Sequence, residues 1–68
     1  MRMFVSEERL LIAIHEGRTE ITGEKASTFG MLLGRGLVSG NRNEEGVIVD
    51  ASLTSAGKEV LWEILRRD

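Results

Sequence analysis

The four residues Asn43-Glu44-Glu45-Gly46 constrain the fold of this chain more than any other feature. Their order is typical of a type I turn that ends in a left-handed glycine and joins two antiparallel strands through a bulge. Apolar and polar residues alternate after the turn, as they do in a half-buried strand. We therefore expect residues 37–53 to form a β-hairpin.

The turn also predicts the pairing of the two strands. If Asn43 pairs with Val47, then Ser39 lies opposite Ala51, because every later pair follows from the first. One face of the second strand then carries Val47, Val49, Ala51 and Leu53, and the other carries Ile48, Asp50 and Ser52. On this register we expect Val38 and Ile48 on the outer face of the hairpin.

Three segments around the hairpin have the residue pattern of helices. The first is expected to begin at Ser6 as N-cap and to end near Glu16, where Gly17 can adopt the left-handed conformation. The second is predicted as one uninterrupted helix over Thr22 to Arg35, closed by Gly36. Thr54 is the expected N-cap of the third. A brief extended segment, Thr19-Glu20-Ile21, separates the first two helices.

The spacing of apolar residues predicts which face of each helix is buried. For the first helix these residues are Leu10, Leu11 and Ile14. For the second they are Ala26, Phe29, Gly30 and Leu33. For the third they are Ala56, Val60, Leu61, Ile64 and Leu65.

Composition places the chain among ordinary globular domains. Sixty-eight residues, 41% of them hydrophobic and 29% charged, are enough for one small domain, which we expect to span residues 1–68. Cysteine is absent, and one histidine cannot form a metal site alone, so we expect no disulfide, metal or other cofactor. No apolar run is long enough for a membrane helix, which favours a cytoplasmic protein without a membrane partner.

The sequence argues against catalysis. His15 is expected in the last turn of the first helix, and nothing in the sequence supplies it with a nucleophile. The pairs Glu7-Glu8 and Glu44-Glu45 are adjacent, so their side chains diverge instead of flanking one substrate. We therefore predict a binding protein that is not an enzyme and has no small-molecule substrate.

Two motifs carry a family resemblance. Gly36-Leu37-Val38 leads from the second helix into the hairpin, and Leu53-Thr54-Ser55-Ala56-Gly57 leads from the hairpin into the last helix. Together they resemble the second half of a winged-helix domain of the MarR-like kind. The resemblance implies an α+β fold of the order α-β-α-β-β-α with a C-terminal closing helix. Here one helix stands where that family has two.

The resemblance also implies a function, that of a small DNA-associated regulatory or accessory protein. The second helix would face the major groove, and the tip of the hairpin would lie along the neighbouring backbone or minor groove. The net charge of −2 and the two glutamates at the tip disfavour a polyanion. The candidate DNA-binding residues are Lys25, Thr28, Arg35, Asn41, Arg42 and Asn43.

A protein partner or a second copy of the chain is the alternative partner. Trp62 is predicted near the edge of the last helix's buried face, where a tryptophan either covers the hairpin or contacts a partner. Met31 is predicted on the outward side of the second helix. With Val38 and Ile48 these residues form the candidate protein interface, and the sequence leaves both functions open.

Overall fold

The computed structural model describes residues 3–66 and is a small α+β domain. It confirms the predicted order of elements: helix, helix, two-stranded antiparallel sheet and C-terminal helix. The elements are α1 (Val5–His15), α2 (Glu24–Gly34), β1 (Val38–Arg42), β2 (Ile48–Leu53) and α3 (Ser55–Arg66).

The short extended segment between α1 and α2 joins the edge of the sheet. The N–H of Ile21 donates to the carbonyl of Ile48 at 2.9 Å, and the N–H of Ile48 donates back at 3.0 Å. The N–H of Ala51 donates to the carbonyl of Thr19 at 3.0 Å. These bonds fix the α1–α2 connection against β2, as the predicted order requires.

Both helix-ending glycines lie where the sequence predicts them. Gly17 has φ 116° and Gly36 has φ 76°. After α2 the N–H of Leu37 donates to the carbonyl of Leu32 at 3.1 Å, and that of Gly36 donates to Leu33 at 3.0 Å. This pair of bonds is a Schellman motif, which turns the chain sharply into β1. α2 is one uninterrupted helix.

The predicted start of α1 is wrong by two residues. Its N-cap is Phe4 rather than Ser6, because the side chain of Glu7 reaches back and its Oε1 accepts the N–H of Phe4 at 2.9 Å. Ser6 lies in the first turn and is exposed. The predicted buried face of Leu10, Leu11 and Ile14 is confirmed.

The buried face of α2 differs from the predicted one by about one residue of rotation. Phe29 and Leu32 are buried, whereas Leu33 is 49% exposed and Gly30 is exposed. The chain reversal at Gly36 places the buried Leu37 after Leu32, the apolar pairing that often accompanies a Schellman motif. Leu32 therefore takes the inward position.

The hairpin turn is confirmed. The N–H of Gly46 donates to the carbonyl of Asn43 at 3.1 Å, and the N–H of Asn43 donates to the carbonyl of Val47 at 2.9 Å. Gly46 has φ 82°, the left-handed conformation expected at this position. Oδ1 of Asn43 accepts the N–H groups of Glu45 and Val47 at 2.9 and 3.0 Å.

Beyond Asn41 the predicted register is wrong. Asn41 pairs with Val49 as expected, but Ser39 pairs with Ser52 instead of Ala51, because a bulge shifts the register between Ser39 and Asn41. The bulge lies beside Asp50, whose φ is 55°. Since one extra residue reverses which side chains point inward, Ile48 and Ala51 are both buried.

Burial corrects two of the predicted interface residues. Val38 is 2% exposed and Ile48 is 4% exposed, so both belong to the core. Neither lies on an outer hairpin face. They are removed from the candidate protein interface.

α3 begins as predicted, with Thr54 as its cap. Oγ1 of Thr54 accepts the N–H of Gly57 at 3.1 Å and donates to the carbonyl of Gly36 at 2.6 Å. Leu61 is buried, with Val60 and Ile64 half-buried beside it. Ala56 and Leu65 are exposed, contrary to expectation, because Gly57 faces the core.

The core lies between the three helices and the inner side of the hairpin. Its buried hydrophobic residues are Leu10, Leu11, Ile14, Ile21, Phe29, Leu32, Leu37, Val38, Ile48, Ala51 and Leu61. None of the helices within residues 3–66 is both long enough and apolar enough to cross a membrane.

Candidate functional site

The side of α2 that points away from the core carries no charge. Ser27, Gly30, Met31 and Gly34 lie on one side of the helix, because Gly30 and Met31 are three and four residues after Ser27 and four and three residues before Gly34. All four are exposed, and Met31 is 45% exposed. We call these four residues the outer face of α2.

The two glycines of the outer face have no role inside the domain. A Cβ added to Gly30 or Gly34 would meet nothing within 4 Å, and neither residue has a positive φ. A glycine inside a helix is about 0.8–1.0 kcal/mol less favourable than alanine. A surface without side chains allows another backbone to approach closely. The fold itself therefore gives no reason for Gly30.

Opposite charges stand at the two ends of this face. Glu24 is the first residue of α2, and Arg35 is its C-cap. Two residues that are eleven positions apart in an α-helix differ by about 20° around the helix axis and lie about 16 Å apart along it. Glu24 and Arg35 thus lie along one edge of the helix, acid at the N-terminus and base at the C-terminus.

Arg35 is also held from within the domain. Its Nη1 lies 3.5 Å from Oε2 of Glu7, a side chain that is fully buried. Within residues 3–66, that Oε2 accepts no hydrogen bond, so the ion pair with Arg35 is what compensates its charge. The pair fixes the start of α1 to the end of α2 and holds Arg35 at that end of the outer face.

Trp62 lies at the junction of α3 with α1. It is 52% exposed, and its ring meets that of His15 edge to face with 6.1 Å between ring centroids. His15 is therefore an aromatic neighbour at the end of α1. Leu65, one turn further along α3, is 47% exposed and extends the apolar surface around Trp62.

A groove of about 430 Å³ lies between α1 and α2. Leu10 and Ala13 form its apolar floor. Ser6 and Arg9 of α1 and Glu24, Lys25 and Thr28 of α2 supply its polar lining. We call this the α1–α2 groove.

The candidate DNA-binding residues fall into three separate places. Lys25 and Thr28 line the α1–α2 groove instead of the outer face of α2. Arg35 is at the other end of α2, paired with Glu7. At the hairpin, Asn41 and Arg42 are exposed, whereas the side-chain oxygen of Asn43 is used within the turn. Along α2, the predicted residues are therefore divided between the groove and the C-terminal end of the helix.

Several residues of these surfaces were missed by sequence reasoning. Leu33 was assigned to the core. Arg9 was not considered, although its position one residue before the buried Leu10 places it at the edge of the inner face of α1. For Glu7 the sequence predicts only a side chain that diverges from that of Glu8. Its spacing of three residues from Phe4, typical of the acidic member of a capping box, is the one signal of its actual role.

No cluster of three or more potential metal ligands is present in the part of the chain from Met3 to Arg66. Comparisons of this chain with protein-family models, with curated proteins and with solved structures gave no match.

Proposed function

We propose that this protein is a self-associating interaction module whose contact surface is the outer face of α2. The observation that carries the proposal is the open space around Gly30. A glycine in the middle of an exposed helix, next to the exposed Met31, lowers the stability of the isolated domain without any internal contact in return. A neighbouring helix backbone that approaches this strip would account for it.

The charges at the ends of the face favour a second copy as the partner. In an antiparallel pair of α2 helices, Glu24 of each copy lies beside the Arg35 end of the other. The helix dipoles are also opposed in that arrangement, which is favourable. A guanidinium has five N–H donors, so Arg35 can keep its ion pair with Glu7 while it meets a second carboxylate. A two-fold symmetric contact needs this kind of self-complementary surface.

Sedimentation velocity over a wide range of protein concentration tests the proposal. We expect a concentration-dependent monomer–dimer equilibrium in the natural chain and a shift toward monomer in Met31→Lys, which puts a cation on the apolar strip. Val5→Lys is the matched control, since Val5 is 62% exposed and lies at the start of α1. A natural chain that sediments as monomer throughout contradicts the proposal.

Duplex DNA is the second candidate partner, favoured by the shape of the hairpin. The β1–β2 hairpin carries the exposed Asn41 and Arg42 near its turn, and the Ile21–Ile48 bridge adds a third, short strand. Both features are consistent with the winged-helix resemblance, which is an analogy of fold. Against it, the four residues of the outer face of α2 include no cation, and Arg35 at the end of that face is paired with Glu7.

Salt dependence separates this candidate from self-association. Lys25 and Arg42 are the candidate cations outside the Glu7–Arg35 pair, so a monomer should show a slope of log affinity against log salt of about −2 at most. Arg42→Ala should reduce the slope by about 1 and weaken all sequences alike. Absence of duplex binding at low salt, where electrostatic attraction is least screened, eliminates the DNA candidate.

A further inference from the structure

We propose that the α1–α2 groove is a binding site for small organic anions that carry a short apolar body, such as alkyl carboxylates. The groove lies on the side of α2 that faces α1, and Glu24 is the one lining residue that it shares with the proposed dimer contact. The proposal does not depend on self-association, because the cations and the apolar floor belong to the groove alone.

The charge of the groove favours an anion. Arg9 of α1 and Lys25 of α2 both line the groove. Neither forms an ion pair with any residue from 3 to 66. The lining thus contains two cationic side chains, one from each helix, and one acidic side chain, that of Glu24. The hydroxyls of Ser6 and Thr28 add hydrogen-bond donors.

The floor of the groove favours an apolar body on that anion. Ala13 is half-buried and leaves apolar surface open to the groove, and Leu10 beneath it is 4% exposed and belongs to the core. A ligand chain lying on this floor removes the surface of Ala13 from water. The volume of about 430 Å³ lies within the range of about 300–1,000 Å³ that is usual for small-molecule sites.

The cations and the apolar floor together disfavour both inorganic anions and neutral amphiphiles as ligands. An inorganic anion would meet the cations but leave the floor in contact with water. A neutral amphiphile would cover the floor but leave Arg9 and Lys25 without a counter-charge. The groove fits a molecule with both parts, an anionic head between Arg9 and Lys25 and a short alkyl chain over Leu10.

Titration of the full chain with hexanoate, followed by backbone amide NMR shifts, tests the proposal. We expect saturable shifts centred on Leu10, Ala13 and Thr28. Arg9→Gln and Lys25→Gln should each weaken hexanoate about threefold, the size expected for an exposed ion pair. Glu24→Gln should strengthen it by a similar factor. Because all three positions are exposed, these variants should retain the fold.

Two further probes and one control variant complete the experiment. 1-Hexanol and inorganic phosphate should each bind more weakly than hexanoate, and Lys58→Gln, an exposed change on α3, should leave hexanoate affinity unchanged. Hexanol binding as tightly as hexanoate overturns the role of the cations, and phosphate doing so overturns the role of the floor. Equal loss in Lys58→Gln, or no saturable shift at the groove, overturns the site itself.

Discussion

Gly57 lies so close to the carbonyl group of Leu37 that a Cβ on Gly57 would overlap the carbonyl oxygen. The same carbonyl accepts the N–H of Thr54 at 3.1 Å, and Thr54 donates to the carbonyl of Gly36. The segment that enters the hairpin and the segment that leaves it are thus bonded to each other. The two motifs behind the winged-helix resemblance form one junction in the folded domain.

Gly57→Ala should therefore destabilise the domain severely. The added methyl group meets backbone rather than a movable side chain, so we expect a loss of about 3 kcal/mol or more, at the upper end of overpacking effects. A domain of this size has only about 3–5 kcal/mol to lose. Circular dichroism during thermal unfolding measures the effect.

Gly34→Ala is the matched control for that experiment. A Cβ at Gly34 meets nothing within 4 Å, so at low protein concentration its melting temperature should stay unchanged or rise. If Gly57→Ala melts as the natural chain does, α3 does not dock against Leu37 as described.

The neighbours Leu32 and Leu33 should respond very differently to truncation. Leu32 is fully buried, so Leu32→Ala should cost about 2–5 kcal/mol in transfer and cavity terms. Leu33 is 49% exposed, and Leu33→Ala should cost less than about 1 kcal/mol. Urea unfolding of both variants measures the difference. Equal losses would contradict the observed rotation of α2.

Removing Arg35 alone from its ion pair with Glu7 should destabilise the domain more than replacing both residues. Arg35→Ala leaves the buried carboxylate without its cation, and we expect a loss of about 1–3 kcal/mol because Arg35 is itself partly exposed. In the double variant Glu7→Gln/Arg35→Ala the uncompensated charge is gone, so the loss should be smaller. A double variant less stable than Arg35→Ala would contradict the role of Arg35 as the counter-charge of Glu7.

Sequence reasoning predicted the elements where a single residue type decides the local backbone. Gly17, Gly36 and Gly46 mark the two helix ends and the turn, since each has a positive φ. Thr54 is predicted as a cap and caps α3, because a hydroxyl at that position satisfies a free N–H.

The rotation of α2 and the strand register depend on contacts between residues that are distant in the sequence. Leu32 and Leu33 are adjacent and equally apolar, so periodicity alone cannot choose between them. The bulge beside Asp50 is one such feature, and the close approach of Gly40 to Phe29, whose Cζ would stand 3.1 Å from a Cβ at Gly40, is another. No local pattern predicts either of them, or that Val38 and Ile48 are buried.

In the candidate sites, too, local features could be predicted from the sequence, whereas features that require tertiary contacts could not. Met31 is exposed, as its position outside the apolar stripe of α2 predicts, and Trp62, for which the sequence leaves two alternatives open, is 52% exposed. The α1–α2 groove could not be predicted, since it requires the relative placement of two helices. The buried position of Glu7 likewise depends on α2 ending beside the start of α1.

Thermal unfolding of Gly30→Glu at several protein concentrations tests whether the chain self-associates through the outer face of α2. Near the axis of a symmetric contact each new glutamate meets its own copy, so the substitution should abolish self-association. In the monomer it should raise the melting temperature, because glutamate is the better helix former and has open space at this position. Ala56→Glu, an equal charge change at an exposed position of α3, is the control.

We expect the melting temperature to rise with protein concentration in the natural chain and in Ala56→Glu, but not in Gly30→Glu. At the lowest concentration Gly30→Glu should be the most stable of the three. A natural chain whose melting temperature is independent of concentration, or a Gly30→Glu variant that keeps the dependence, would contradict the assignment of the outer face of α2 as the contact surface.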